Sequence, residues 1–346
     1  MRTVIIHNYI HMEDRSSDHL VLGGLLFLVF SLVVALVFVY TRAADTTTGQ
    51  SPTTSATIDN QAPAVDSVNI AYVDNGDLSA TSGNIGLTLG GQTQVVVWGT
   101  LSDANGEADI DEVSVVLRRS GATNADSCTV DLNDCYTASG TQAVPGACEF
   151  TADTATTKHY ACTVNLEFFA DGTTAGGQFE AENWVANVVV TDLTPTTGTA
   201  SATTEVNALL GLFIPTDIAY GQFALGATSS ASASVSGNGS NVIHNIDQKG
   251  NVIADVTVEG GVMTCSALGT IPVGNQKWAL AANGYESATA LTATAFDTDL
   301  AVQYQTDDNY VSNPSRKQLF WSIGIPTTGV RGTCTGTNTI SVLAAQ

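Results

Sequence analysis

Basic residues are scarce in this chain. Its 346 residues include 11 Lys and Arg against 33 Asp and Glu, which gives a formal net charge of -22. A surface of this charge repels phosphate backbones and anionic lipid headgroups, so the sequence argues against a nucleic-acid-binding protein. Charged residues of both signs make up only 13% of the chain, well below the usual quarter. Hydroxyl groups must therefore provide much of its solvation.

Catalytic signatures are also missing. The sequence contains no HExxH metal motif, no GxSxG nucleophile elbow and no glycine-rich phosphate loop. Of the five histidines, only His159 and His244 follow the one long apolar run near the N-terminus. We therefore expect a protein without enzymatic activity.

That apolar run covers residues 20–40, LVLGGLLFLVFSLVVALVFVY, and contains no charge. At about 1.5 Å per residue it is long enough to cross a hydrocarbon core of about 30 Å. The sequence therefore predicts a transmembrane or signal helix at 20–40, a cytoplasmic leader at 1–19 and an exported remainder. Few basic residues flank the run, so the positive-inside signal is weak. Cleavage after Ala43 is the alternative to a retained anchor.

Beyond the run, the sequence has the composition of a stalk followed by β-sheets. Residues 41–63 are rich in Thr and Ser and predict a flexible stalk. From residue 64 on, short apolar segments alternate with turn residues every 8 to 15 positions, and none shows a sustained helical period. In NWVANVVVTD, for example, Trp184 and Val188 fall on one face of a strand. We expect an all-β protein with two β-sandwich modules, 64–207 and 208–346.

Two further segments of the second module also suggest strands. The alternation in SASASVS places Ala231, Ala233 and Val235 on one side of a predicted strand. The ending GTCTGTNTISV predicts a closing edge hairpin.

The six cysteines show no metal-ligand spacing, so we expect disulfides, which persist in oxidising compartments. The four in the first module allow three pairings. The segment from Cys148 to Cys162 has the pattern of a hairpin turning near 154–157, which favours a bond between these two and leaves Cys128 for Cys135. In the second module Cys265 and Cys334 have only each other.

One segment of the first module, SDANGEADIDEV, is a candidate cation site. Side chains with oxygen atoms occur at every second position around a glycine turn, and clustered oxygen ligands are what a hard cation such as calcium requires. These residues are Asp103, Asn105, Glu107, Asp109 and Asp111. The segment resembles the first half of an EF-hand loop but lacks the bidentate Glu at position twelve. Asp59 and Asn60, before the first module, and Asp192, at the end of a strand, are further acidic or amide cues. The alternative is that these residues only form turns.

Two other features have a functional and a structural interpretation. Asn238-Gly239-Ser240 is a sequon, which makes Asn238 a candidate glycosylation site. The four tryptophans would suit a sugar-binding platform, but we expect them in the cores; they are Trp98, Trp184, Trp278 and Trp321.

Several sequence patterns within residues 60–346 resemble those of a known class of proteins. VVVWGTLSDANGEADIDEVSVVLRRSG and ENWVANVVVTD look like the immunoglobulin-like modules of prokaryotic cell-surface proteins. IAYGQFALG and QKGNVIADVTVEG resemble the β-sandwich modules beside them in surface-layer-like and adhesin-like proteins. The resemblance implies architecture and location, with no catalytic residues to carry over.

Together these features predict a noncatalytic structural or adhesive protein of the cell envelope, displayed outside a prokaryotic cell. Its expected partners are copies of itself, other envelope components, surface glycans and, through the N-terminal helix, the membrane. Calcium is the one cofactor that the sequence suggests. The alternatives are a pilin-like filament subunit and a secreted carbohydrate-binding or carbohydrate-active protein.

Overall fold

The computed structural model describes residues 53–74, 77–79, 83–122, 128, 131–144, 146–306, 309 and 311–345. The predicted leader, the predicted helix at 20–40 and the first part of the stalk lie outside these residues. Within them, no helix has both the length and the apolar character needed to span a membrane. Contacts divide the chain into two compact units, residues 1–59 and 60–346. Of the first unit, residues 53–59 are exposed and belong to no strand.

The described residues of the N-terminal half of the second unit form ten strands: β1 Ala64–Val65, β2 Asn69–Asp74, β3 Asp77–Ser79, β4 Gln92–Ser102, β5 Ile110–Arg119, β6 Cys135–Thr141, β7 Cys148–Ala152, β8 Thr157–Glu167, β9 Trp184–Asp192 and β10 Thr197–Thr204. They form two antiparallel sheets. One has the order β3-β2-β4-β8-β7, with β1 also paired to β4, and the other has the order β10-β9-β5-β6.

Along the central strands, buried side chains alternate with more exposed ones, and the buried side chains form the first core. In β4 the side chains of Val95, Val97 and Leu101 are buried, and in β9 those of Trp184 and Val188 are buried. Because both sheets contribute buried side chains to one apolar cluster, the first core lies between their inner faces. The predicted apolar face of NWVANVVVTD is thereby confirmed.

In the part of the C-terminal half that the structure describes there are twelve strands, most of them short: β11 Leu212–Phe213, β12 Ala233–Ser234, β13 Asn241–Gln248, β14 Ala254–Gly260, β15 Met263–Cys265, β16 Thr270–Ile271, β17 Gln276–Ala279, β18 Thr289–Ala290, β19 Phe296–Asp297, β20 Arg316–Ile323, β21 Cys334–Thr335 and β22 Asn338–Ala344. Three sheets result: β11-β13-β20-β17-β18 with β12 beside β13, β19-β14-β22, and β16-β15-β21. A second apolar cluster, centred on Trp278 and Trp321, lies in this half. The described residues contain no α-helix, which confirms the all-β class.

Two strand predictions in this half are wrong. Only Ala233–Ser234 of SASASVS is a strand, and Val235 is exposed. A local bond contributes to this outcome, because the Ser236 N–H donates to the Ser234 hydroxyl oxygen at 3.3 Å, and side-chain-to-backbone bonds of this kind compete with sheet pairing. The closing segment forms no hairpin either, because β21 pairs with β15 and β22 pairs with β14.

Three disulfides join strands or a loop to a strand. They are Cys128–Cys135, Cys148–Cys162 and Cys265–Cys334, the pairing that the hairpin interpretation favours. Cys148 lies directly opposite Cys162 in the β7–β8 ladder, and Cys265 lies opposite Cys334 in the β15–β21 ladder. These two bonds therefore cross neighbouring strands at matched positions.

Where the two halves meet, a buried asparagine ties their backbones together. The Nδ2 of Asn251 donates to the carbonyl oxygens of Ala170, at 2.8 Å, and Asn207, at 3.1 Å. Its Oδ1 accepts from the backbone N–H of Leu209 at 2.6 Å. The side chain is fully buried, so water cannot replace any of these bonds.

We expect Asn251→Ala to lower the free energy of unfolding by about 1–3 kcal/mol, because it leaves buried backbone groups without partners. Urea unfolding followed by far-UV circular dichroism measures this loss. Asn245→Ala is the matched control, since Asn245 is only half-buried and accepts one exposed bond from Gln318. The control should stay within about 0.5 kcal/mol of the wild type. Equal losses in the two variants would contradict the assigned role of Asn251.

Candidate metal centre

Three carboxylates meet at one end of the first core. Asp103 follows β4, Asp109 ends a short 3-10 turn at Glu107–Asp109, and Asp192 ends β9. One oxygen from each carboxylate lies within 4.8 Å of the corresponding oxygens of the other two. Asp103 and Asp192 are each only 2% exposed.

The fold brings these three together by backbone pairing. Ile110 is in register with Asp192 in the β5–β9 ladder, and the N–H of Leu193 donates to the carbonyl oxygen of Asp109 at 3.0 Å. The turn after β4 is closed by Gly106, whose φ of 129° few other residues adopt. The turn is held against the β7–β8 hairpin because Asp103 donates its N–H to the Thr156 carbonyl.

Hydrogen bonds satisfy the three carboxylates unequally. Asp192 accepts from Thr194, Thr196 and Asn60, the last through Asn60 Nδ2 to Oδ2 at 2.7 Å. Asp103 accepts at Oδ1 from the N–H of Asn105 at 2.7 Å. Its Oδ2 is buried and accepts no hydrogen bond from any described residue.

The pKa values of two of the carboxylates are shifted by burial, by neighbouring charges and by hydrogen bonds. Burial first, and then the charges of Asp103 and Asp192, raise the pKa of Asp109. Burial alone would raise the pKa of Asp192, but hydrogen bonds from Thr196, Asn60 and Thr194 outweigh it and hold the pKa below its ordinary value. None of the ion pairs among the described residues involves these three carboxylates.

The other predicted ligands lie around the cluster. Asn105 Oδ1 accepts from the N–H of Gln61 at 2.7 Å, which ties the segment before β1 to this end of the fold. Glu107 points to Lys158, with Oε2 and Nζ 3.2 Å apart. Asp111 lies at an irregularity of the β5–β9 ladder and does not belong to the cluster. The sequence cues at Asn60 and Asp192 prove to be neighbours in space.

A second group of acids differs in a decisive way. Asp255, Asp297 and Asp299 also place one oxygen each within 4.8 Å of one another. Here the buried member is well satisfied, because Asp255 Oδ1 accepts from the N–H groups of Val256 and Leu300 at 2.7 and 2.8 Å. The other two are exposed. This group therefore combines one buried carboxylate that is already hydrogen-bonded with two that are solvated.

Arg119 forms the centre of a buried ion cluster elsewhere in the first half. Its Nε donates to Asp171 Oδ2 at 2.8 Å and its Nη1 to Glu182 Oε2 at 2.6 Å, and Asp134 lies 3.5 Å from Nη2. The guanidinium also lies 3.7 Å from the centre of the Phe179 ring. The arginine is surrounded on all these sides, so the cluster has a structural role.

The cluster gives the fold a pH dependence. Burial raises the pKa of Asp171 to about 7, against the opposing effects of the Arg119 charge and hydrogen bond. An unfolded Asp releases its proton near pH 4, so between about pH 4 and 7 the folded state holds the extra proton. Stability contributed by Asp171 therefore falls as the pH rises through this window.

We expect Asp171→Asn to flatten the decline in the free energy of unfolding between about pH 4 and 7. Urea titrations at several pH values, for the wild type and the variant, measure the two slopes. Glu149→Gln serves as control because Glu149 is exposed and forms no ion pair with any described residue, and its slope should match the wild type. A slope for Asp171→Asn that runs parallel to the wild type would contradict the assignment.

The remaining predicted sites are dispersed. Asn238 is exposed in a turn with a φ of 53°. Of the four tryptophans, Trp184, Trp278 and Trp321 are buried, but Trp98 is 42% exposed on the outer face of β4. The expectation of a core position is therefore wrong for Trp98. This ring borders a groove of about 400 Å³ lined also by Asn69, Asn84, Thr203 and Thr204.

Comparisons with known proteins add little. No family model matches the chain, and no curated protein matches it. Among solved structures, one match is the C-terminal domain of the Streptococcus agalactiae AgI/II polypeptide BspA. It is 10% identical, with a TM-score of 0.22, over 80% of this chain and 96% of that one. A TM-score at this level carries no inference about fold or function.

Proposed function

We propose that the chain is a noncatalytic cell-envelope protein, structural or adhesive, displayed outside a prokaryotic cell. Residues 20–40 would serve as its anchor or signal helix and 41–63 as its stalk. Residues 64–207 and 208–346 would form two tandem immunoglobulin-like modules. The observation that carries the proposal is the set of three disulfides, two between neighbouring strands and one between a loop and a strand. Such bonds form and persist in oxidising compartments.

An exposed sheet edge supports a role in association. β22 pairs only with β14 in the described chain, so its other edge offers backbone N–H and C=O groups. Its seven residues, NTISVLA, include no charge and no proline, the features that commonly protect edges. Val342 on this strand is 39% exposed. The edge suits pairing with a second copy or another envelope component.

Placing a charge on this edge tests the proposal. Electron microscopy of envelopes carrying the labelled protein, and sedimentation of the full chain in detergent, should show lattices or filaments that Val342→Lys weakens, because a lysine on an edge strand opposes pairing with another chain. Val262→Lys is the control, because Val262 is also exposed but lies outside every strand. A chain that forms no assembly and binds neither cells nor glycans would refute the proposal.

A carbohydrate-binding role is a second candidate, and the groove beside Trp98 favours it. An exposed indole can stack on a sugar ring, and the amides and hydroxyls lining the groove can bond sugar hydroxyls. A glycan array probed with wild type and Trp98→Ala tests this role. Binding that survives the substitution would exclude the groove. The pilin-like alternative depends on residues outside the described range, and mass spectrometry of the mature N-terminus tests it.

A further inference from the structure

The three-carboxylate cluster of Asp103, Asp109 and Asp192 concentrates negative charge where the fold provides no countercharge. Two of its members are buried, and no described Lys or Arg pairs with any of the three. Lys158, on the strand paired with β4, directs its Nζ to Glu107, Gln142 and the Ile110 carbonyl instead. Some other positive group must offset this charge for the ionised cluster to be stable.

The unpartnered oxygen of Asp103 indicates what that group is. Asp103 is almost wholly buried, and its Oδ2 accepts no hydrogen bond from the described chain. Buried carboxylate oxygens are normally bonded or coordinate a metal. Asp255 differs, because neither of its carboxylate oxygens is both buried and without a hydrogen bond, and its Oδ1 accepts several.

The spacing of the oxygens fits a calcium ion. Calcium binds oxygen at about 2.3–2.6 Å, so two oxygens on the same ion lie at most about 5 Å apart. All three carboxylate pairs meet this limit, being within 4.8 Å. The ligand chemistry is all oxygen, as hard cations prefer. Neither sulfur nor imidazole belongs to the group.

We infer that Asp103, Asp109 and Asp192 bind one calcium ion, which fastens the 103–109 turn and the end of β9 to the segment that leads into β1. The fastening follows from two hydrogen bonds. Asn60 donates to Asp192, and Gln61 donates to Asn105 within the turn. An ion that fixes the carboxylates therefore also fixes the partners of residues 60 and 61. This assignment is independent of the proposed adhesive role.

Thermal unfolding of the full chain, purified in detergent, tests the assignment. For an affinity typical of extracellular sites, 10 mM calcium should raise the melting temperature by about 5 °C over chelator-treated protein. Asp103→Asn should lose this shift while melting in chelator no lower than the wild type, because the substitution removes an uncompensated buried charge. Asp297→Asn, in the second acidic group, should keep the full shift.

Hydrogen exchange gives a second readout that does not depend on the Asp103 variant folding. Calcium should slow exchange in peptides covering 60–63, 103–109 and 192–196, and should leave 255–299 unchanged. Asp109→Asn, at a half-buried position, should abolish the slowing. The inference is overturned if calcium changes neither melting nor exchange, if magnesium acts equally, or if Asp297→Asn removes the shift.

Discussion

Trp184→Ala is expected to lower the free energy of unfolding by about 3–5 kcal/mol, the usual range for removing a large aromatic side chain from a core. Trp184 begins β9, is fully buried, and pairs in register with Arg119 on one side and Thr204 on the other. Its Nε1 donates to the Asp171 carbonyl at 2.9 Å. The substitution therefore leaves both a cavity and an unpaired buried carbonyl.

The chain contains a matched control for this experiment. Trp98 is the same residue type in the same half, but it lies on the outer face of β4. Trp98→Ala should change stability by less than about 1 kcal/mol, since little core volume is lost. Chemical denaturation followed by far-UV circular dichroism suits both variants, because it does not rely on tryptophan fluorescence. Comparable losses in the two would mean that Trp184 does not anchor the first core.

The contrast between these two residues shows how far the sequence predicts this fold. A two-residue period identifies which side chains share a face, and in β9 it correctly placed Trp184 with Val188. In β4, Trp98 is out of phase with Val95 and Val97, so the same rule places it outside. Apolar character alone favoured the core for all four tryptophans, and here the period was the better guide.

Pairing between distant segments was harder to predict. The β7–β8 hairpin follows from local spacing, and the turn between Ala152 and Thr157 lies near its predicted place. The prediction for the closing segment failed because β21 pairs with residues 69 to 71 positions earlier and β22 with residues 78 to 90 positions earlier. Cys334, with Cys265 as its expected partner, indicates that β21 lies beside β15, but no comparable signal in GTCTGTNTISV indicates that β22 pairs with β14.

In the candidate cation site, too, the sequence predicts some of the residues and not others. The turn residues Asp103 and Asp109 could be selected from their spacing around Gly106. Glu107 and Asp111 match the same alternation, yet a 3-10 turn and the β5–β9 irregularity direct them elsewhere. Thr194 and Thr196, which bond Asp192, carried no recognised signal. Their role depends on a local turn that only the folded backbone reveals.

Removing the Cys265–Cys334 bond should have the largest effect among the three disulfides. The bond closes a loop of 69 residues, whereas Cys128–Cys135 closes one of 7. On the loop-entropy model the longer loop contributes about 4 kcal/mol and the shorter about 2 kcal/mol. The double substitution Cys265→Ser with Cys334→Ser is therefore expected to lose about twice as much stability as Cys128→Ser with Cys135→Ser.

Few backbone pairs hold the strands around Cys265 and Cys334, so the stability of these strands depends strongly on the disulfide. β15 contacts β21 and β16 through only two register pairs each, and such short strands are not stable on their own. Hydrogen exchange should accelerate first in residues 263–271 and 331–335 of the Cys265–Cys334 variant. Urea unfolding of the two double variants gives the comparison of stabilities. A loss no larger than that of the Cys128–Cys135 variant would mean that the β14–β22 pairing, with its seven register pairs, already constrains the closing segment without the covalent bond.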